Sequence, residues 1–160
     1  MVTTSVNRSE EGEVMSAQAA VAPAFAEAPQ VEPEFQLREC RGLALVVDDN
    51  PDITEMLAAV LRHAGYTVSA AHSAPDALNI ALAKHFDVVV SDIAMPGMTG
   101  HELAQVLRAM PEYRSIPMVA VTGFDMYDDH DRSIEAGFDF HLSKPIDPVA
   151  LTRAIYRIRH

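Results

Sequence analysis

The sequence predicts an α/β protein with a doubly wound, five-stranded parallel sheet. Short apolar runs alternate along the chain with segments whose apolar residues recur at helical spacing, a pattern typical of strands and helices in regular alternation. The first run, at 43–47, reads LALVV and is apolar throughout, as expected for a strand that is buried on both faces. A central first strand in a small domain favours the strand order 2-1-3-4-5.

A helix is expected directly after this first strand. Asp48 and Asp49 end the strand, Asn50 is a favourable N-cap, and Pro51 suits the first turn of a helix. Gly65 then terminates the helix. The apolar residues at helical spacing are Ile53, Met56, Leu57, Val60 and Leu61.

The same alternation continues to the end of the chain. The further strands are expected over 66–71, 87–91, 117–121 and 138–142. The further helices are expected after the cap Ser73, over 100–110 and 125–136, and after the cap Asp147. Apolar spacing predicts which residues of two of these helices face the core. In the helix after Ser73 they are Ala77, Leu78, Ala81 and Leu82, and in the helix over 100–110 they are Leu103, Val106 and Leu107.

Residues 1–40 differ in composition from the rest of the chain. They are rich in Ala, Pro and Glu, carry seven acidic and two basic side chains, and show no sustained periodicity. Such a segment buries too little apolar surface to offset its chain entropy. The sequence therefore predicts a disordered tail over 1–40 and one folded domain over 41–160.

Composition excludes several classes of partner. The net charge is −11, which disfavours nucleic acid because phosphate binding requires clustered Lys and Arg. No apolar run approaches the roughly 20 residues of a membrane span. Cys40 is the single cysteine, so the chain forms no internal disulfide and suits a reducing compartment. We therefore expect a cytoplasmic protein that binds neither nucleic acid nor membrane.

Five polar residues follow the predicted strands and define a candidate site. The carboxyl ends of parallel strands meet at one edge of a sheet, where open α/β folds bind ligands. These residues are Asp48, Asp49, Asp92, Thr122 and Lys144. Neighbouring carboxylates repel one another, and a divalent cation with open water positions, such as Mg²⁺, relieves that repulsion.

The side chains at this edge favour phosphoryl transfer. Such a reaction depends mainly on positioning and on neutralising charge. Lys144 offers a compact cation to a phosphoryl oxygen, Thr122 offers a hydroxyl donor, and Pro145 favours a cis bond that aims Lys144. Asp92 is the expected nucleophile, since carboxylates can form aspartyl phosphates.

The motifs around these residues resemble those of a response regulator receiver domain. The matching segments are LVVDDN at 45–50, VVVSDIAMPGMTG at 88–100, VAVTG at 119–123 and AGFDFHLSKPI at 136–146. The resemblance implies a flavodoxin-like receiver fold and a role in a two-component phosphorelay. A histidine kinase or phosphotransfer protein would donate the phosphoryl group to Asp92, and output would pass to a downstream protein that the sequence does not identify.

The resemblance also implies roles for individual residues. Asp49, Asp92 and the backbone carbonyl of Ala94 would bind Mg²⁺ directly, and Asp48 would act through water. Thr122 and Lys144 would contact the phosphoryl group. Such a domain is a phosphoacceptor rather than an enzyme, with self-phosphorylation and self-dephosphorylation as its only chemistry.

Two departures from the family pattern affect the expected switch and the lifetime of the phosphate. Three residues before Lys144 the family often has Tyr or Phe, which moves with Thr122, whereas this chain has His141. The switch would then use Thr122 and an imidazole. Ala94 and Phe124 carry no polar group to orient water, so we expect slow loss of phosphate.

Three functions remain open at this level. The leading one is a stand-alone receiver that acts through protein–protein contacts, since no output domain follows residue 160. A magnesium-dependent phosphatase with an aspartate nucleophile is the second, although that class places its nucleophile after the first strand. A scaffold that works without phosphorylation is the third. The seven histidines have no metal-binding spacing, so solvated or capping roles are expected for them.

Overall fold

The computed structural model of the chain describes residues 40–123 and 127–160. The predicted disordered tail therefore lies outside the described residues, apart from Cys40. The predicted beginning of the fourth helix at Asp125, and Phe124 before it, also lie outside them.

Five parallel strands form one sheet in the order β2-β1-β3-β4-β5. The strands are β1 (Gly42–Val47), β2 (Tyr66–Ala71), β3 (Val88–Asp92), β4 (Met118–Thr122) and β5 (Phe140–Ser143). This arrangement confirms the predicted doubly wound sheet and its strand order. Strands β3 and β4 end one residue later than predicted, so that Asp92 and Thr122 are their last residues.

Five helices alternate with the strands. They are α1 (Pro51–His63), α2 (Ala74–Ala83), α3 (Gly100–Ala109), α4 (Tyr127–Ala136) and α5 (Pro148–Arg159). A 3₁₀ turn over Pro111–Tyr113 follows α3. Each predicted cap accepts a hydrogen bond from a backbone N–H of its helix; these caps are Asn50, Ser73 and Asp147. Gly65 follows α1 with a φ of 100°, a conformation that glycine adopts without strain.

The sheet is covered on both faces, and each face has its own apolar core. Alternate residues of β1 point to opposite faces, with Leu45 and Val47 in one core and Ala44 and Val46 in the other. Helices α2 and α3 contribute to the first core, and α1 and α5 contribute to the second. Burial on both sides explains why the strands read as continuous apolar runs.

Three apolar side chains at helical spacing are exposed, and two of them, Leu82 and Val106, were predicted to face inward. Met56, Leu82 and Val106 are 40%, 73% and 38% exposed. Each helix buries only a stripe of its surface, and this stripe includes small residues that the spacing did not single out. Ala58 in α1 and Ala104 in α3 are both buried.

Candidate functional site

The ends of four adjacent strands bring the predicted site residues to one edge of the sheet. Asp48 follows β1, Asp92 ends β3, Thr122 ends β4, and Lys144 follows β5. Asp48, Asp92 and Thr122 are almost fully buried. This edge is where the parallel topology required the site to form.

Three carboxylates converge at this edge. Asp48, Asp49 and Asp92 each place an oxygen within 4.8 Å of the others. Asp49 is exposed while the other two are buried, so the group opens to solvent on one side. Hard oxygen donors that leave positions for water form a donor set that fits Mg²⁺.

Lys144 lies between the two buried carboxylates. Its Nζ donates to Asp48 Oδ2 at 2.9 Å and lies 3.5 Å from Asp92 Oδ1. The backbone N–H of Lys144 donates to Thr122 O at 2.7 Å, which joins the end of β5 to the end of β4. The bond between Lys144 and Pro145 is cis, as predicted.

Backbone groups fix the two buried carboxylates. Asp48 Oδ1 accepts from the N–H of Asn50 at 2.8 Å, so the residue that caps α1 also holds Asp48. Asp92 Oδ1 accepts from the N–H of Ile93 at 2.9 Å. Both carboxylates are therefore positioned by the chain that immediately follows them.

The pKa of Asp92 is raised above the ordinary value for an aspartate. Burial is the main cause, and repulsion from Asp48 adds to it. Attraction to Lys144 and the hydrogen bond from Ile93 oppose the shift but do not cancel it. A bound cation would favour the ionised form of Asp92.

The pKa of Lys144 is also raised, so its ammonium remains charged. Burial by itself lowers that pKa, but the hydrogen bond to Asp48 and the attraction of Asp92 and Asp48 outweigh the effect of burial. The site therefore keeps a positive charge beside the expected nucleophile at neutral pH.

Two other predicted residues lie outside this cluster. Ala94 is exposed in the loop that follows β3. His141 is half-buried in β5, and its Nδ1 lies 3.2 Å from Ser133 Oγ on α4. The ligand role of the Ala94 carbonyl and the switch role of His141 stay predictions.

Sequence reasoning gave no role to Gly100, the first residue of α3. Its N–H donates to Ile93 O at 2.9 Å, and a Cβ at this position would overlap the carbonyl oxygen of Asp92. Only glycine lets α3 begin this close to the phosphoacceptor loop. In the sequence, the only local indication that a helix begins at Gly100 is Thr99, which caps α3 in a capping box with Glu102.

No helix in the described part of the chain is both long and apolar enough to cross a lipid bilayer.

Comparison with known proteins identifies the family. The model of the response regulator receiver domain matches residues 44–156, which contain every residue of the candidate site. The chain therefore belongs to the response regulator receiver family. It is a phosphoacceptor signalling domain of the phosphorelay type.

Three similar proteins illustrate the range of this family. The chain is 36% identical over 119 residues to the sensor histidine kinase RcsC of Escherichia coli, matching 73% of this chain but 12% of the kinase. The chemotaxis protein CheY4 of Vibrio cholerae is 32% identical with a TM-score of 0.69, covering 72% of this chain and 97% of that structure. The receiver domain of the Pseudomonas aeruginosa kinase PA1611, solved with magnesium in its active-site cleft, is 28% identical with a TM-score of 0.68, covering 74% and 98%.

Proposed function

We propose that Asp92 accepts a phosphoryl group from a histidine kinase or phosphotransfer protein. The observation that carries this proposal is the placement of Asp92, buried at the end of β3 with Lys144 Nζ 3.5 Å from its Oδ1. A nucleophilic carboxylate beside a fixed ammonium is what transfer of an anionic group requires.

In the proposed step, a carboxylate oxygen of Asp92 forms a bond to phosphorus while the bond between phosphorus and the donor breaks. The leaving group departs with the bonding electrons, and the product is an acyl phosphate. Lys144 would neutralise one phosphoryl oxygen, and the hydroxyl of Thr122 would donate to another. Both residues already lie at neighbouring strand ends, so little rearrangement is needed.

Magnesium is the proposed cofactor. Asp49, Asp92 and the carbonyl of Ala94 would hold it, with Asp48 acting through water. The cluster of carboxylate oxygens supports this assignment, as does the magnesium described for the Pseudomonas receiver domain. When bound, Mg²⁺ neutralises carboxylate and phosphoryl charge together.

The proposed output is a protein–protein contact that depends on phosphate at Asp92. The folded domain would span 41–160 and act in the cytoplasm, and the stand-alone arrangement stays a prediction. A phosphatase role has less support, because the candidate nucleophile is the last residue of the third strand, whereas the first strand is followed only by the Asp48 and Asp49 pair. We expect the phosphate to be lost slowly, over times longer than seconds.

Incubation of the chain with acetyl phosphate and Mg²⁺ tests this proposal by intact mass. We expect one phosphoryl group per wild-type chain and none on Asp92→Asn or in the presence of a chelator. Asp52→Asn is the matched control, because Asp52 is an exposed carboxylate in the first turn of α1. Equal labelling of Asp92→Asn, or continuous release of phosphate by the wild type, would contradict the proposal.

A further inference from the structure

A buried serine joins two histidines from different elements. Ser133 Oγ on α4 lies 3.1 Å from His101 Nε2 on α3 and 3.2 Å from His141 Nδ1 on β5. Ser133 has no exposed surface, so water does not readily replace either hydrogen bond. We call His101, Ser133 and His141 the histidine–serine bridge.

The bridge touches the segments that carry the proposed phosphorylation site. His101 directly follows Gly100, whose backbone packs against that of Asp92. On the other side, His141 pairs with Ala120 of β4, the strand that ends at Thr122. The bridge therefore connects the beginning of α3, which packs against Asp92, with β5, which pairs with the strand that ends at Thr122 and is followed by Lys144.

Protonation changes which hydrogen bonds the histidine–serine bridge can form. A neutral imidazole has one donor nitrogen and one acceptor nitrogen, whereas a protonated imidazole has two donors. Two charged rings on one hydroxyl would also repel each other at short range. The geometry of the bridge therefore depends on how many protons its two imidazoles carry.

The titratable groups around the bridge limit how much charge it holds. His130 on α4 is a third imidazole, with its ring centroid 5.8 Å from that of His141. His130 Nδ1 lies 3.8 Å from the exposed carboxylate of Asp131. The ring of His101 meets the edge of Phe138, which is uncharged. Protonation of both His130 and His141 would therefore place two positive charges side by side, and the Asp131 carboxylate lies beside His130.

A bound metal is a weaker interpretation of this cluster. Among the described residues, the only three or more potential ligand groups that converge within 4.8 Å are Asp48, Asp49 and Asp92. His101 Nε2 and His141 Nδ1 instead both contact the hydroxyl of Ser133.

We infer that the histidine–serine bridge couples proton binding to phosphorylation of Asp92, so that the signalling response of this domain depends on pH. The inference rests on the proposed function. Negative charge added at Asp92 electrostatically favours the protonated imidazoles of the bridge. In addition, rearrangement of the loops around Asp92 and Thr122 would change the hydrogen bonds that Ser133 makes with the two rings. Linkage makes the effect reciprocal, so protonation of the bridge favours the phosphorylated form. His101 and Ser133 are positioning residues here, acting through His141 and α3.

Histidine ring signals of the full chain in nuclear magnetic resonance test the coupling. The chain is titrated between pH about 5 and 8, the range in which imidazoles change charge, in Mg²⁺ alone and in Mg²⁺ with beryllofluoride. Beryllofluoride serves as the phosphoryl mimic, and its fluorine signal reports separately whether the adduct forms. We expect the midpoints of His101 and His141 to rise by about half a pH unit with the mimic, a coupling of about threefold.

Variants distinguish coupling through the bridge from a long-range electrostatic effect of the charge added at Asp92. Ser133→Ala should remove at least half of the shift at both rings. His141→Gln keeps a hydrogen-bonding amide but cannot titrate, and it should flatten the pH dependence of mimic affinity relative to wild type. His160→Gln is the matched control and should behave as wild type, because His160 shares a groove with Tyr66 at the opposite edge of the sheet.

Three outcomes decide the matter. An adduct that forms without moving the midpoints of His101 and His141 overturns the inference and leaves the proposed function intact. Shifts that persist unchanged in Ser133→Ala, together with an unchanged pH dependence in His141→Gln, also overturn it. Failure to form the adduct with Mg²⁺ present overturns the proposed function and the inference with it.

Discussion

At the scale of single residues, the carboxylate of Asp92 is costly to keep ionised where it lies. Its pKa is raised in the folded state, mainly by burial and then by Asp48. The folded state therefore binds a proton at Asp92 more strongly than the unfolded state does. Stability from this group is present in acid and is lost as the pH rises from the unfolded value near 3.8 through the raised folded pKa.

Because ionised Asp92 lowers the stability of the folded state at pH 7, we predict that Asp92→Asn is more stable than wild type at pH 7 without divalent cations. The expected gain is on the order of 1 kcal/mol, because a buried charge that Lys144 compensates only in part is removed. Urea unfolding monitored by circular dichroism measures the difference. The gap should narrow in acid, where wild-type Asp92 is itself protonated, and Mg²⁺ should stabilise wild type more than the variant. Asp52→Asn is the control, and an Asp92→Asn variant less stable than wild type would contradict the account.

At the scale of elements, Arg108 near the end of α3 ties together several chain segments. Its guanidinium donates to the carbonyl oxygens of Gly137, Tyr113 and Ile116 at 2.8, 3.0 and 2.8 Å. It also donates to Asp139 Oδ2 at 2.8 Å, and that same oxygen accepts from the N–H of Met118. Arg108 thus joins α3 to the 3₁₀ turn, to the beginning of β4 and to the segment before β5.

Arg108→Lys is expected to lower the free energy of unfolding by about 2 kcal/mol, because an ammonium cannot reproduce the planar set of donors and leaves carbonyls unsatisfied. Chemical denaturation measures the loss. Arg62→Lys is the matched control, since Arg62 makes an exposed ion pair with Glu55 at 3.1 Å and should change little. If both variants lost equal stability, the role assigned to Arg108 would be wrong.

Much of the architecture could be predicted from the sequence because its signals are local. The beginnings of three helices are indicated by the N-cap residues Asn50, Ser73 and Asp147, and fully buried strands read as apolar runs. The five site residues follow from topology, because parallel strands bring their carboxyl ends together. Their roles as ligands and phosphoryl contacts stay predictions that the geometry supports.

Long-range polar contacts could not be predicted in the same way. The bond between His101 and Ser133 joins residues 32 apart, and that between Arg108 and Asp139 joins residues 31 apart. Neither pair has a spacing that a single sequence makes visible. The histidines were expected to be solvated or to cap helices. His130 is exposed, in line with that expectation, whereas His101 and His141 are half-buried and contact the hydroxyl of Ser133.

At the scale of the whole molecule, the folded unit is expected to be independent of residues 1–37. The sheet, both apolar cores and the candidate site all lie within the compact unit Arg38–His160. A chain trimmed to 38–160 should therefore melt within a few degrees of the full chain and accept phosphate equally well. Calorimetry measures the melting temperature.

A second trimmed chain provides the contrast. Arg41 donates its N–H to Gly65 O at 2.9 Å, and its carbonyl accepts from Arg159 at 3.1 Å. A chain that begins at residue 43 loses both contacts and should melt at a lower temperature than 38–160. If the chain 38–160 unfolded or lost its phosphate acceptance, the expectation that the folded unit is independent of residues 1–37 would be wrong.

The proposed function requires a covalent bond between the carboxylate of Asp92 and phosphorus, and this bond can be trapped chemically. Borohydride reduces an aspartyl phosphate to homoserine, so peptide mapping after treatment with acetyl phosphate, Mg²⁺ and borohydride identifies the modified residue. We expect homoserine at position 92 in the wild type and at no other aspartate, with none in Asp92→Asn. Homoserine at Asp48 or Asp49, or an unmodified Asp92 in a chain that carries phosphate, would contradict it.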